Sequence, residues 1–338
     1  MFSLDQIVRN NIKNLKPYSS ARDEFSGQEG VFLDANENPF GELNRYPDPY
    51  QREVKRKLSE LKKVSTEEIF IGNGSDELID LVFRIFCEPG KDQALTFAPT
   101  YGMYDVSAAI NDVELIKVAL TADFQIDFDL LKNKLNEHVK LIFLCSPNNP
   151  TGNNIDGIDQ VLEMFNGIVI VDEAYIDFSS SDSMINKIDQ FPNLIVTQTF
   201  SKAWGLAGAR VGAAYSGKEI ISLLNKVKPP YNVSELNQQV VLKALSNDEL
   251  FKERKEIILS QRCWLEAELK GLKQVRKTYP SDANFLLAEV EDANDTYQKL
   301  VDQKVITRNR NGLVNNCIRI TVGSVEENQA LIEAFNKI

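Results

Sequence analysis

The chain has 338 residues, 43% of them hydrophobic and 26% charged, and 49 acidic residues outnumber 38 basic ones for a net charge of −11. That is enough apolar material for a sizeable core and enough length for two domains at roughly 100–200 residues each, while the acidic balance argues against nonspecific nucleic-acid or anionic-membrane binding. The single histidine, His138, argues against Ser-His-Asp triads, histidine metal sites and histidine acid–base pairs, and the four cysteines form no C-x-x-C pair that would suggest zinc.

The first twenty residues, MFSLDQIVRNNIKNLKPYSS, hold no apolar run of signal-peptide length, and no stretch approaches the ~20 apolar residues of a membrane span. A cytoplasmic protein is expected, with no membrane partner, no nucleic-acid partner and no metal. From residue 68 to about 215 short apolar runs alternate with amphipathic segments. EEIFIG reads as a strand, SDELIDLVFRIF as a helix, DQALTFA as a strand and TYGMYDVSAAI as a helix. VELIKV, VKLIFLC, GIVIVDEAY, NLIVTQTFS and RVGAAY continue the strands, with DFDLLKNKL and IDQVLEMF as helices between the first three. Near-continuous Val/Ile/Leu runs indicate strands buried on both faces, and their alternation with helices indicates an α/β sheet with crossover connections.

After KPPYNVS (228–234) the pattern changes to long helical stretches over 235–272. A compact α+β unit follows, with ANFLLAEV, VITRN and CIRITVG as strands and ANDTYQKLVDQ and EENQALIEAF as helices. The predicted division is an N-terminal arm (1–30), a large α/β domain (31–233) and a small α+β domain (234–338), with the Pro-Pro pair at 229–230 near the boundary.

In open α/β sheets ligands bind at the carboxyl ends of strands. Four polar clusters lie at such ends: GNGSDE, SPNNPTG, DEAY and TFSK. Within them Lys202 is an amine able to form a Schiff base with a carbonyl once its pKa is lowered. Asp172 at a strand end needs a cationic or hydrogen-bonding partner. Pyridoxal 5′-phosphate fits this inventory: an aldehyde for a lysine, a pyridine nitrogen for an aspartate, a phenolic oxygen for a tyrosine or asparagine, and a phosphate for a helix N-terminus, hydroxyls and an arginine.

SPNNPTG, VDEAYIDF and TFSKAWGLAGAR, in that order and spacing, resemble the fold-type I pyridoxal-phosphate aminotransferases. The finer likeness is to the histidinol-phosphate aminotransferases, carried by LDANENPF, NRYPDP, GNGSDE, FAPTYGMY and IRITVG. The resemblance implies a large, mixed but mostly parallel sheet flanked by helices, with a smaller α+β domain. It implies catalytic roles for Lys202, Asp172 and Tyr175. Around the cofactor it implies Gly74, Ser75, Asp76, Tyr101, Asn149, Thr199, Ser201 and Arg210, with backbone N–H groups rather than the Asp76 carboxylate meeting the phosphate. For the substrate it implies Tyr18, Asn36, Tyr46, Asn149, Arg308 and Arg319, with Arg310 the rival of Arg308 for a substrate phosphate.

It also implies ping-pong transfer between L-histidinol phosphate and 2-oxoglutarate, giving imidazole-acetol phosphate and L-glutamate. A homodimer is expected, with Tyr46 reaching the neighbouring site. Trp204 and Ala209 depart from the family's usual residues, a change expected in packing behind the lysine. An aromatic or broad-specificity aminotransferase, and a lyase resembling the phosphothreonine decarboxylases, remain as alternatives.

Overall fold

The computed structural model describes residues 2–18 and 30–338. Much of the predicted arm (1–30), namely residues 1 and 19–29, lies outside the described residues. The helices are α1 (Leu4–Ile7), α2 (Asn10–Lys13), α3 (Arg52–Lys62), α4 (Ser75–Phe86), α5 (Met103–Ile110), α6 (Phe128–Lys134), α7 (Ile158–Met164), α8 (Lys218–Val227), α9 (Glu235–Leu245), α10 (Asp248–Gly271), α11 (Ala293–Asp302) and α12 (Val325–Phe335). Among the described residues no helix is long and apolar enough to cross a membrane.

A seven-stranded sheet is built from β1 (Ile69–Gly72), β2 (Gln93–Ala98), β3 (Glu114–Ala119), β4 (Val139–Cys145), β5 (Ile168–Asp172), β6 (Leu194–Thr199) and β7 (Gly212–Ser216), in the order β1-β7-β6-β5-β4-β2-β3. Pairing is parallel from β3 through β6; β7 runs antiparallel to both β6 and β1. The mixed, mostly parallel sheet read from the sequence is the observed one.

The central strands are apolar without alternation because alternate residues feed two cores, one on each face. Ile69, Ile71, Val169 and Val171 belong to one cluster; Phe70, Ile168 and Ile170 belong to the other.

The second sheet is antiparallel, in the order β10-β11-β9-β8, from β8 (Val275–Thr278), β9 (Phe285–Val290), β10 (Arg308–Asn309) and β11 (Cys317–Thr321). Its apolar face packs on α10 and α12 through Leu265, Leu269, Leu286, Ile318 and Phe335. Ser324 starts α12 with a capping box: its hydroxyl accepts from the Glu327 N–H while its own N–H donates to the Glu327 carboxylate, a device whose loss typically costs about 1 kcal/mol.

The two units are stitched together rather than strung apart. Val241 of α9 is buried with Val54 and Leu58 of α3 in the large sheet's core, so packing continues the larger unit through α9, past residue 234. Arg262 of α10 donates to the carbonyls of Phe178 and Ala283, 3.3 and 2.8 Å away. Trp204, beside the lysine loop, stacks on Phe251 of α10 with ring centroids 4.0 Å apart. The departure at Trp204 thus fastens the TFSK loop to the long helix.

Candidate active site

Strands β4, β5 and β6 are parallel, so Cys145, Asp172 and Thr199 end on one edge of the sheet, and SPNNPTG, DEAY and TFSK emerge together. The reversal of β7 brings Gly212 to the same edge. A Cβ there would lie 2.6 Å from the Ser75 nitrogen and 2.7 Å from the Gly74 carbonyl carbon, so only glycine lets β7 pass the start of α4 so closely. One cavity results, lined by Ser75, Asp76, Tyr101, Cys145, Asn149, Asp172, Ala174, Tyr175, Thr199, Ser201, Lys202 and Arg210. Gly74, the N-cap of α4, adjoins it.

Asp172 is 4% exposed. It accepts from the Tyr104 hydroxyl at 2.9 Å, the Ala174 N–H at 3.1 Å and the Thr197 hydroxyl at 3.3 Å. Burial pushes its carboxyl up, and these donors push it back down. No cation lies within ion-pair distance of it among the described residues, so a buried carboxylate is held ready for a charged partner. Lys202 is half-buried, with Nζ 5.6 Å from the centre of the Tyr175 ring. Burial lowers its pKa first, then repulsion from Arg319, while Asp172 works the other way. Tyr175 accepts from the Asn149 side-chain amide at 3.4 Å, and burial raises its phenol.

The α4 end is built for an anion. Gly74, at φ +78°, carries no capping side chain, so the first N–H groups of a twelve-residue helix are left for a ligand. Arg210 adopts the left-handed conformation at φ +51°, an uncommon one for a non-glycine residue. Its guanidinium lies 3.3 Å from the Asp76 carboxylate. Asp76 also accepts from the Tyr101 hydroxyl at 3.2 Å, which gives that carboxylate an orienting task beside the anion cradle. Thr199 and Ser201 add hydroxyls to the same wall.

Arg319 reaches the site from the small sheet. It donates to the Asn149 side-chain oxygen and lies 5.1 Å over the Phe285 ring. Asn149 thereby joins Tyr175 to Arg319. Across the β10–β11 ladder Arg308 is directly opposite Arg319, which places the two side chains on one face. Arg310 follows after β10 has ended and bonds its N–H to the Cys317 carbonyl. The Nε atoms of Arg310 and Arg319 are buried without a hydrogen-bond partner. Burial pushes the Arg310 guanidinium down, and repulsion by Arg319 and Arg308 adds to it.

Three expected substrate residues are not brought to this cavity. Tyr18 is 71% exposed. Asn36 and Tyr46 line a separate surface groove with Arg45 and Tyr231, where Tyr46 stacks on Tyr231 at 4.4 Å. The sequence reading gave no role to Tyr104 and Thr197, which hold Asp172, or to Cys145 in the cavity wall. Tyr104 reads as a core residue of an amphipathic helix and Thr197 as one polar position inside a strand, so neither carries a local signal.

Glu173, next to Asp172, faces away from the cavity group and is 2% exposed. It accepts from the Ser183 hydroxyl, the Met184 N–H and the Gln198 amide. Burial raises its carboxyl from 4.5 to about 7 against those donors. The folded chain therefore binds a proton that the unfolded chain releases. This contribution to stability is full below pH 4.5 and is lost as pH rises to about 7. Urea unfolding of Glu173→Gln at pH 5 and pH 8 is expected to show a flatter pH dependence than the parent, by roughly 2–3 kcal/mol. Equal slopes would refute the assignment.

The residues present fit pyridoxal phosphate on these observations: a buried carboxylate lacking a cation, an uncapped helix start beside Arg210, and an amine with a lowered pKa between them. Comparison with known proteins agrees. The model of a family described as aminotransferase class I and II matches residues 26–335. A histidinol-phosphate aminotransferase of Cytophaga hutchinsonii is 54% identical over 343 residues, covering 99% of each chain. One of Christiangramia forsetii is 53% identical, covering 100% of this chain and 98% of its own. The crystal structure of a histidinol-phosphate aminotransferase from Sinorhizobium meliloti, in complex with pyridoxal-5′-phosphate, has a similar fold, with a TM-score of 0.76 over 90% of both chains at 24% identity.

Proposed function

We propose a function from one premise: the chain belongs to the class I and II aminotransferase family. It is a pyridoxal-phosphate-dependent enzyme that transfers an amino group between L-histidinol phosphate and 2-oxoglutarate in histidine biosynthesis. Bound pyridoxal phosphate supplies an aldehyde that takes up the amino group and a ring that accepts the electron pair left when the α proton departs. Lys202 Nζ would hold the cofactor's aldehyde and would be the base that takes the α proton and returns it. Burial and the Arg319 charge lower its pKa, which favours the neutral amine that a base requires. Asp172 holds the ring nitrogen's proton, Tyr175 and Asn149 hold the phenolic oxygen, and Tyr101 covers the ring face. The α4 N–H groups at Gly74 and Ser75, with Thr199, Ser201 and Arg210, hold the phosphate.

The observation that supports a phosphorylated substrate is the cluster of Arg308, Arg319 and the nearby Arg310, none ion-paired to a carboxylate among the described residues. Arg308 and Arg319 share one face and both repel Arg310, an arrangement that is costly unless an anion joins them. The test is spectral. L-Histidinol phosphate, added without a keto acid, is expected to bleach the yellow holoenzyme, and 2-oxoglutarate to restore it. Bleaching by phenylalanine or tyrosine but not by histidinol phosphate would transfer the assignment to an aromatic aminotransferase. Carbon dioxide release from phosphothreonine would transfer it to a lyase.

Between the two candidate phosphate ligands, the buried and unpartnered Nε favours Arg310 as the stronger one, with the exposed Arg308 beside it. Arg310→Ala is expected to raise KM for histidinol phosphate about 30-fold, and Arg308→Ala about 5-fold, with KM for glutamate little changed in either. The reverse ranking would restore Arg308 as the principal ligand, and a loss confined to glutamate would remove both.

The working assembly in this reading is a cytoplasmic homodimer. Its support is the exposed apolar run of Val31, Leu33, Phe40, Leu43 and Tyr46, with Leu236 beside the same groove. Tyr46 then serves the neighbouring subunit's site, and Tyr18 and Asn36 complete the substrate end.

A further inference from the structure

Tyr104 lies at the start of α5, on the segment that follows β2, and is fully buried. Its hydroxyl donates to Asp172 Oδ2 at 2.9 Å, the shortest bond that carboxylate accepts from a side chain. Its ring meets Tyr101 edge to face, with centroids 5.7 Å apart and planes at 87°. It also stacks on Phe143 of β4 at 4.9 Å, and Phe143 stacks in turn on Phe83 of α4 at 5.2 Å. The ring is thus held against Tyr101 and Phe143, and its one polar atom is aimed at the one buried carboxylate of the cavity. Phenylalanine would give the same packing. A buried hydroxyl carries a desolvation cost that packing alone does not require.

We propose that Tyr104 is a positioning residue for amino transfer: its hydroxyl fixes the Asp172 carboxylate while its ring fixes Tyr101, so one side chain sets both the ring-nitrogen partner and the stacking face. The inference rests on the cofactor reading above and deepens it. The Ala174 N–H and the Thr197 hydroxyl both go to Asp172 Oδ1, so Tyr104 is the only described hydrogen-bond donor to Oδ2. Without it, the ionised carboxylate loses a charge-assisted hydrogen bond and becomes the stronger proton acceptor. A proton shared between Asp172 and a pyridine nitrogen then moves toward the carboxylate. Less positive charge remains on the ring, which accepts electrons less well.

The experiment is ¹⁵N NMR of the holoenzyme reconstituted with pyridoxal phosphate labelled at the ring nitrogen, at one pH near neutrality, alongside steady-state kinetics. Tyr104→Phe is expected to move the ring-nitrogen resonance toward the unprotonated position and to lower kcat about 10-fold with KM little changed. A resonance and kcat equal to the parent's, with only the unfolding midpoint lowered, would reduce Tyr104 to a packing residue and overturn the proposal. If Tyr104→Phe fails to fold, 4-aminophenylalanine placed at position 104 keeps the ring and a weaker donor. It is expected to shift the resonance in the same direction by a smaller amount; an unshifted resonance overturns the proposal. A parent enzyme that binds no labelled cofactor, or binds it without a protonated ring nitrogen, defeats the cofactor reading itself, and the inference falls with it.

Discussion

Lys202→Ala is expected to lose turnover by about 10⁴-fold or more while the chain stays folded. The loss is large because one amine carries two tasks in the proposed chemistry, covalent anchorage and proton transfer, and the surroundings supply no substitute. The one histidine, His138, is on the approach to β4 at the opposite end of the strand from Cys145. Tyr175 and Tyr101 have phenols raised by burial, which keeps them protonated and leaves no phenolate to act as a base. Stability is expected to change by less than about 1 kcal/mol, since the lysine is half-buried and makes no ion pair that its removal would orphan. The checks are single-turnover rates at saturating substrate and urea unfolding of the same preparation. Turnover within tenfold of the parent would remove the central role of this lysine, whatever the fold.

How much of this was legible in the sequence depends on where the signal lay. The large sheet was readable because strands buried on both faces are written as unbroken apolar runs, and each run ended in polar residues that had to face a cavity. Parallel strands send those ends to one edge, so the convergence of SPNNPTG, DEAY and TFSK followed from topology once the strands were placed, whereas the roles of Asn149, Tyr175 and Thr199 came from the family resemblance. The edge strand β8 was not read. Val275–Thr278 is largely exposed and polar, as edge strands often are, and carries no apolar run.

Other features depend on tertiary contacts that no local pattern records. The reversal of β7 is what presses Gly212 against Ser75, and the sequence RVGAAY does not state its direction. Tyr104 and Thr197 are recognisable as partners of Asp172 only when α5, β5 and β6 are assembled. The buried Nε that favours Arg310 over Arg308 shows only in the folded chain. The sequence pattern let β10 run on, whereas it ends at Asn309. The packing of Val241 into the larger core, beyond a proline pair that looked like a boundary, belongs with these.

Arg319→Ala is expected to lower kcat/KM about 10²–10³-fold in both half-reactions, whereas the Arg310 and Arg308 variants should touch only the phosphorylated one. The difference follows from the substrates. Glutamate and 2-oxoglutarate bring a carboxylate to the reacting carbon; histidinol phosphate brings a phosphate on the adjacent one. A single site that serves both needs an anion ligand common to the two. Arg319 is suited to that place because it touches Asn149, which touches Tyr175, and it lowers the Lys202 pKa through its charge.

Arg319→Lys keeps the charge but not the planar fork, and should recover no more than part of the loss, since a point charge cannot match a bidentate contact. The alternative is that Arg319 serves only to hold Asn149 in place. In that case Asn149→Ala would reproduce the whole effect, and both variants would weaken cofactor binding in proportion. Titrating pyridoxal phosphate into the apo forms separates the cases. An Arg319→Ala enzyme with cofactor affinity within a few-fold of the parent, yet crippled with glutamate and histidinol phosphate alike, places the arginine on the substrate. An enzyme crippled with histidinol phosphate alone would show instead that Arg319 belongs with Arg308 and Arg310 as a phosphate ligand, and that glutamate is held by another group.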